Sequence, residues 1–323
     1  MPPEMKVPPE RLAEEVMRGD HRSAARLITL LERGSAEAEP ALNLIRPAIG
    51  HAHIIGLTGP PGSGKSTLIG SLIRFWRPNH KLGVLAIDPS SPRSGGALLG
   101  DRARLLEIAS DSNVFVRSMS ARGESGGMAP AAADAVDVLD AMGCDIVLIE
   151  TVGGGQADVS VAGLAQTVLA VLVPGLGDDL QFLKAGVIEV ADVLVVNKSD
   201  LPGAEEVAWR LRTAVAPMRG PRPPVLMTVA TTGEGVEALA KEIAAHRKRH
   251  APTTVDDSAR RAIVRRYLLT LASQRLLADL LAELTEPMLD ELSAAVLKRE
   301  LSASQAARKL LGHWRQAQNE PGG

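Results

Sequence analysis

The chain has 323 residues, of which 45% are apolar and 23% charged, and its formal net charge is −2. This is the balance of a globular protein with a sizeable core, and it excludes a global electrostatic attraction to nucleic acid or to an anionic membrane. A single cysteine, Cys144, excludes an intrachain disulfide and a thiolate metal cluster, and we expect it to be a buried small hydrophobe. Without a membrane-length apolar run or a targeting pattern, the chain is expected to be cytoplasmic.

Residues 1–50 are predicted to form a helical extension. Leu12 and Val16 share one helical face, and Asp20 is placed to cap a second helix that ends near Gly34. Pro40 and Pro47 bracket a third short segment.

Residues 51–250 are predicted to form a central domain. Apolar runs rich in Val, Ile and Leu alternate with helical stretches, and they lack the polar alternation of half-exposed strands. The predicted strands are HIIGLT, KLGVLAID, NVFVRS, CDIVLIE, QTVLAVLV, DVLVVN and PVLMTV. The pattern predicts an α/β fold with a doubly wound, mainly parallel sheet.

Residues 251–323 return to a helical pattern. Leucines follow helical spacing up to Pro287, and Ser302 with Gln305 has the pattern of a capping box. This region is too apolar on one side to stand free in water, so it packs either on the core or on a second subunit.

The stretch GPPGSGKS, residues 59–66, lies between a predicted strand and a predicted helix and fits the phosphate-loop (P-loop) pattern. Glycines let backbone N–H groups turn towards phosphates, and the helix N-terminus adds its positive dipole. Lys65 would reach the β- and γ-phosphates, and the Ser66 hydroxyl would ligate Mg²⁺. Pro60 stands where the ATPases that segregate plasmids carry an extra lysine, which argues against that subgroup.

The motif NKSD, residues 197–200, follows a predicted strand. The Asp200 carboxylate can accept two hydrogen bonds from guanine, and adenine has no such donor pair. Asn197 would bind the base from the other side, and the Lys198 stem would lie over the ring. The motif therefore predicts a guanine nucleotide.

Acidic residues follow two further strands. Asp88 ends the second strand, beside the P-loop, where it would hold Mg²⁺ or one of its waters. Glu150 ends the strand CDIVLIE and begins ETVGGGQ, in which Gly153 would donate its N–H to the γ-phosphate. Gly154 stands where many GTPases carry a water-orienting Gln, so we predict a GTPase that is slow alone and is completed by a partner. Asp101, in a glycine-rich loop, would either meet the metal or cap a helix.

Three long stretches, AIDPSSPRSGGALLGDRAR, ETVGGGQ and PGLGDDLQFLKAG, precede NKSD in the chain. In this order they closely resemble the MeaB/ArgK/MMAA group of GTPases, within the SIMIBI class of P-loop proteins. The resemblance runs along the whole chain and is specific in the central domain. It implies a G-protein chaperone of an adenosylcobalamin-dependent acyl-CoA mutase such as methylmalonyl-CoA mutase, which gates cofactor loading and protects the mutase. It also implies a homodimer formed through the C-terminal helices.

The resemblance also implies roles for individual residues. GTP or GDP would be bound by the P-loop and by the two base-reading loops, through Gly59, Pro61, Gly62, Ser63, Gly64, Lys65, Ser66, Thr67, Asn197, Lys198, Asp200, Val229 and Ala230. Catalysis would rest on Lys65, Asp88, Glu150 and Gly153, and the Mg²⁺ ligands would come from Ser66, Asp88, Asp101 and Glu150. Switch segments that signal to the partner would include Arg104, Gln156, Asp178 and Lys184.

Two departures from the family pattern stand out. ETVGGGQ replaces the expected ETVGVGQ, which makes this loop richer in glycine. The last guanine loop, TVATTGEG, lacks the usual Ser near Val229 and Ala230, so backbone N–H groups are left to contact the base.

Two alternative functions compete with this interpretation. A nickel metallochaperone GTPase of the SIMIBI class would carry a His-rich tract or a Cys motif, and this chain has one cysteine and seven scattered histidines. A kinase or a non-switching binding module would leave the guanine motif unexplained. The basic run AHRKRH, residues 245–250, is interpreted as a solvated helix end rather than a nucleic-acid patch.

Overall fold

The computed structural model describes residues 7–88, 111–120, 131–151, 161–175, 187–218, 222–249, 265, 268–269, 272–273, 276–277, 279–281 and 283–319. The chain divides into two compact units, residues 1–264 and 265–323. Within the described residues, no helix is both long and apolar enough to cross a membrane.

The first unit is an α/β fold built on a seven-stranded parallel sheet, as the sequence predicts. Its strands are β1 (His53–Thr58), β2 (Leu82–Asp88), β3 (Val114–Ser120), β4 (Ile146–Thr151), β5 (Thr167–Leu172), β6 (Val193–Asn197) and β7 (Val225–Thr228). The strand order is β3-β2-β4-β1-β5-β6-β7, and every neighbouring pair is parallel. Because neighbouring parallel strands run in one direction, the carboxyl ends of β1, β4, β6 and β7 all lie at the same edge of the sheet.

Helices cover both faces of the sheet. The described helices of this unit are α1 (Pro9–Met17), α2 (His21–Glu32), α3 (Ala38–Ile45), α4 (Lys65–Trp76), α5 (Ala132–Ala141), α6 (Val187–Val190), α7 (Ala204–Val215) and α8 (Val236–Arg249). Alternate residues of β5 and β6 point to opposite faces: Leu169 and Val193 join a core with α4 and α8, and Ala170 and Leu194 join one with α6 and α7. Burial on both faces explains the unbroken apolar runs in these strands.

The N-terminal helices begin and end largely where their sequence signals predict. The Asp20 carboxylate accepts a hydrogen bond from the Ser23 N–H at 2.7 Å and so caps α2, which closes before Gly34. Pro40, however, lies inside the first turn of α3 rather than before it. The first N–H groups of a helix have no intrahelical acceptor, so a proline is tolerated there.

The link between the N-terminal helices and β1 is held by one buried carboxylate. Asp140 on α5 accepts hydrogen bonds from the backbone N–H groups of Gly50 at 2.6 Å, His51 at 3.1 Å and Ala52 at 2.9 Å. One turn earlier on the same helix, burial and then the neighbouring Asp134 raise the pKa of Asp137 to about 6.

A second buried polar chain lies at the amino edge of the sheet. The Thr167 hydroxyl lies 2.8 Å from His53 Nε2 and 2.9 Å from His246 Nδ1, and His246 Nε2 lies 3.2 Å from Asp192 Oδ1. His246 is therefore a buried residue within the basic run that the sequence assigns to solvent. Its position on the inner face of α8, beside Ile243, explains the difference.

The second unit is helical in all its described residues up to Leu281, and then contains α9 (Glu286–Leu297) and α10 (Ala303–Asn319). Ser302 and Gln305 form the predicted capping box, with hydrogen bonds of 2.9 and 3.2 Å between each side chain and the other residue's backbone N–H. Among the residues of this unit that the structure describes, six leucines are more than half exposed: Leu268, Leu269, Leu276, Leu277, Leu281 and Leu297.

Candidate nucleotide site

The P-loop connects β1 to α4, which begins at Lys65. Lys65 is buried, and its Nζ donates to the carbonyl oxygens of Gly59 at 2.6 Å and Pro60 at 3.1 Å. The first residues of the P-loop thus surround the Lys65 ammonium group. This contact holds the lysine at the mouth of the loop, where a phosphate would meet it.

Gly64 occupies the cap position of α4 in the left-handed conformation, with φ of +84°. A Cβ added there would lie 2.5 Å from the side-chain nitrogen of Asn197. At Gly62, at the loop's exposed tip, φ is +78° and a Cβ would meet nothing within 4 Å. The residue at position 64 is therefore constrained twice, by its backbone conformation and by the closeness of the base-reading motif.

A serine and a glutamate meet beside the loop. The Ser66 hydroxyl donates to Glu150 Oε1 at 2.6 Å, and Glu150 is only 5% exposed. Both are hard oxygen ligands of the kind that Mg²⁺ prefers, so the pair fits this ion. Asp88 ends β2, which pairs with β4, but its side chain lies outside the described part of the structure.

The base-reading motif lies against the P-loop. Asn197 ends β6 and is 1% exposed; its Nδ2 donates to the Ser63 carbonyl oxygen at 2.9 Å. The Lys198 Nζ donates to the Gly62 carbonyl oxygen at 3.0 Å, and Asp200 is exposed. The P-loop and the NKSD motif are therefore in direct contact, although Ser63 and Asn197 are 134 residues apart in the sequence.

The loop after β7 completes this end of the site. Asn197 Oδ1 accepts hydrogen bonds from the Thr228 hydroxyl at 3.2 Å and from the Ala230 N–H at 3.1 Å. Val229 and Ala230 are both buried. The structure therefore brings Val229 and Ala230 next to Asn197, and it adds Thr228, which the sequence analysis does not single out.

Several predicted site residues cannot be placed. Asp101, Arg104, Gly153, Gln156, Asp178 and Lys184 lie outside the described residues. Pro61 is exposed at the loop tip, and Thr67 follows Ser66 in the first turn of α4.

Among the described residues, no group of three or more His, Cys, Asp or Glu side chains is arranged to hold a metal ion.

A parallel sheet with a P-loop after β1 and a guanine motif after β6 defines a P-loop GTPase. The chain belongs to the family described as "Methylmalonyl Co-A mutase-associated GTPase MeaB", which it matches over residues 24–285.

Relatives agree with this assignment, and a solved structure shares the fold. A putative GTPase of Pyrococcus horikoshii is 41% identical over 314 residues, which cover 94% of this chain and 98% of the relative. The mouse protein "Methylmalonic aciduria type A homolog, mitochondrial" is 40% identical over 195 residues, 57% of this chain and 46% of that protein. The crystal structure of an LAO/AO transport system kinase shares the fold, with a TM-score of 0.67 and 23% identity over 94% of this chain and 96% of that chain.

Proposed function

We propose that this GTPase is a G-protein chaperone of an adenosylcobalamin-dependent acyl-CoA mutase of the methylmalonyl-CoA mutase type. It would gate loading of the cofactor into the mutase and protect the mutase from inactivation. The observation that carries the proposal is the family match over residues 24–285, because the family's description names that mutase. The similarity to the mouse methylmalonic aciduria type A homolog supports the same class of partner. We also propose that the protein acts in the cytoplasm.

The phosphates of GTP would be bound at the start of α4. Lys65 is held there by two carbonyl oxygens, and its ammonium charge would neutralise the β- and γ-phosphates. The backbone N–H groups from Gly62 to Thr67 would complete the cradle, because the helix N-terminus presents unpaired donors to an anion. Phosphoryl transfer requires this kind of positioning and charge stabilisation more than covalent chemistry.

Mg²⁺ would be held between Ser66 and Glu150, with Asp88 and Asp101 contributing directly or through water. When bound, the ion supplies charge stabilisation to the β- and γ-phosphate oxygens. The short Ser66–Glu150 hydrogen bond supports this assignment because it already brings two oxygen ligands of α4 and β4 together. Glu150 would also fix the direction of the Ser66 hydroxyl in the absence of metal.

The guanine base would be read by Asn197, Lys198 and Asp200 together with the loop at Val229 and Ala230. An exposed Asp200 carboxylate is free to accept the two hydrogen bonds that only guanine offers. Asn197 is locked between the P-loop and the β7 loop, so base and phosphate contacts would be made by one connected set of residues.

Hydrolysis by the isolated protein would be slow. Gly154 replaces the glutamine that positions water in many GTPases, and Gly153 would supply only a backbone N–H. Arg104, Gln156, Asp178 and Lys184 would belong to segments that respond to the nucleotide and contact the mutase. Docking of the mutase would then complete the site and accelerate turnover.

The protein would act as a homodimer formed by its C-terminal helices. Six leucines that are more than half exposed, from Leu268 to Leu297, support an interface in this unit. A second copy of the same unit could cover them, because a two-fold interface pairs a surface with itself.

The decisive experiment measures GTP turnover by the purified protein with and without an adenosylcobalamin-dependent mutase from the same genome. We expect a slow basal rate that the mutase raises by about ten-fold or more, the size of effect that one completed catalytic contact produces. Lys65→Ala is the matched control, because it should hydrolyse no GTP in either condition. A rate that no such mutase changes would refute the chaperone role and leave the GTPase assignment intact.

A further inference from the structure

A serine on the P-loop helix contacts the guanine loop. Ser71 lies two turns into α4 and is 4% exposed. Its hydroxyl donates to the Ala230 carbonyl oxygen and accepts a hydrogen bond from Arg74 Nη2 at 2.6 Å. Because a guanidinium can only donate, the single Ser71 proton is directed to Ala230. Arg74 thus fixes the orientation of the bond that Ser71 makes.

The contact closes a ring of hydrogen bonds around the site. From Ala230 the N–H donates to Asn197 Oδ1 at 3.1 Å, and Asn197 Nδ2 donates to the Ser63 carbonyl oxygen at 2.9 Å. Ser63 lies in the P-loop that opens α4, so the ring returns to the helix on which it began. The ring joins the residues that would read the base to those that would hold the phosphates.

The two residues that follow β7, Val229 and Ala230, are buried and carry no hydroxyl. The Thr228 hydroxyl is already directed to Asn197 Oδ1. The Thr232 hydroxyl donates to the Val229 carbonyl oxygen at 3.2 Å, and the hydroxyl that donates to the Ala230 carbonyl oxygen comes from another element, the helix α4. The sequence alone does not indicate a role for Ser71, because this serine lies between Gly70 and Leu72 in an apolar helix and belongs to no recognisable motif.

We propose that Ser71, oriented by Arg74, is a positioning residue for guanine binding that acts through Ala230 on Asn197. This inference rests on the proposed guanine site. An Asn amide has two N–H donors, and one of them is engaged by Ser63. The second is available to an acceptor on the base only while Asn197 keeps its orientation. Loss of the Ser71 hydroxyl releases Ala230 and, with it, one of the two bonds that fix Asn197 Oδ1.

The test separates base binding from phosphate binding. Affinities for GDP, ADP and inorganic pyrophosphate are measured by calorimetry or competition for the wild type, Ser71→Ala, Ser71→Thr and Arg74→Met. Arg77→Met is the matched control: Arg77 follows the same helix and pairs with Asp111 rather than with Ser71. Because Arg74 is exposed, its substitution tests the proposal without disturbing the core.

We expect Ser71→Ala to weaken GDP binding by about 3- to 10-fold, the range that one intramolecular hydrogen bond contributes, and to leave pyrophosphate affinity unchanged. Arg74→Met should weaken GDP binding in the same selective way, while Ser71→Thr retains the hydroxyl and the affinity. An equal loss of GDP and pyrophosphate binding would show a general fault in α4 and overturn the proposal, as would unchanged GDP affinity in both Ser71→Ala and Arg74→Met. Wild-type preference for GDP over ADP tests the guanine site itself, and stimulation by the mutase tests the proposed function, so the three failures are distinguishable.

Discussion

Replacement of Gly64 by alanine should destabilise the nucleotide-free protein far more than the same change at Gly62. Both glycines have left-handed backbones, with φ of +84° and +78°. Only at position 64 would the new Cβ meet another group, at 2.5 Å from the Asn197 side-chain nitrogen. Alanine at position 64 must therefore push Asn197 away from the Ser63 carbonyl oxygen, which it contacts at 2.9 Å.

The expected magnitude follows from two contributions. The left-handed conformation costs a residue with a Cβ about 1 kcal/mol, and this contribution is common to both variants. Breaking the buried Asn197–Ser63 hydrogen bond and leaving its groups unpaired costs about 1–3 kcal/mol more. We expect Gly64→Ala to lower the free energy of unfolding by about 2–4 kcal/mol and Gly62→Ala by about 1 kcal/mol.

Urea unfolding followed by circular dichroism would measure both variants side by side without nucleotide. The difference between the two free energies isolates the contact with Asn197, because the backbone contribution cancels. If the two variants lose the same stability, the close packing of the base-reading motif on the P-loop is refuted.

Four further outcomes are expected. Lys65→Ala should weaken GTP binding by about 10- to 100-fold in calorimetry, because charge-assisted bonds to the phosphates are lost; unchanged affinity would contradict the P-loop assignment. Asp200→Asn should erase the preference for GTP over XTP in competition binding. Asp137→Asn should stabilise the fold at pH 7 by up to about 1 kcal/mol but not at pH 4, because burial raises the pKa of this half-buried carboxyl to about 6: its ionisation costs more in the native than in the unfolded state, and that cost is present at pH 7 and absent at pH 4. Cys144 should resist thiol reagents at pH 8 until the protein unfolds, because burial raises its pKa to about 12.

Much of the fold was predictable from the sequence because its signals are local. Each of the seven strands is an apolar run whose ends lie within two residues of the prediction, from His53–Thr58 to Val225–Thr228. The caps at Asp20 and at Ser302 were likewise readable, since a cap depends on residues three apart. The motifs at Lys65 and Asn197 could be placed near each other because both follow strands of one parallel sheet.

What the sequence could not provide depends on contacts between distant segments. His246 lies in a run of cations, and only the packing of α8 on the sheet turns its ring towards Thr167. Ser71 has no local signal, because its partner Ala230 is 159 residues away. The strand order is not readable from the apolar runs either.

The Asp140 carboxylate, which holds the link between the N-terminal helices and β1, sets a lower limit on how short a stably folded version of this protein can be. Removing residues 1–52 would take away all three N–H donors of the Asp140 carboxylate, which is buried in the intact chain. The truncation would also remove Leu12, Val16 and Leu27, which are buried, and would expose the apolar surface that they cover. A fragment that begins at β1 should therefore expose apolar surface and tend to aggregate. A tag placed ahead of α1 leaves the contacts between the N-terminal helices and the rest of the unit intact.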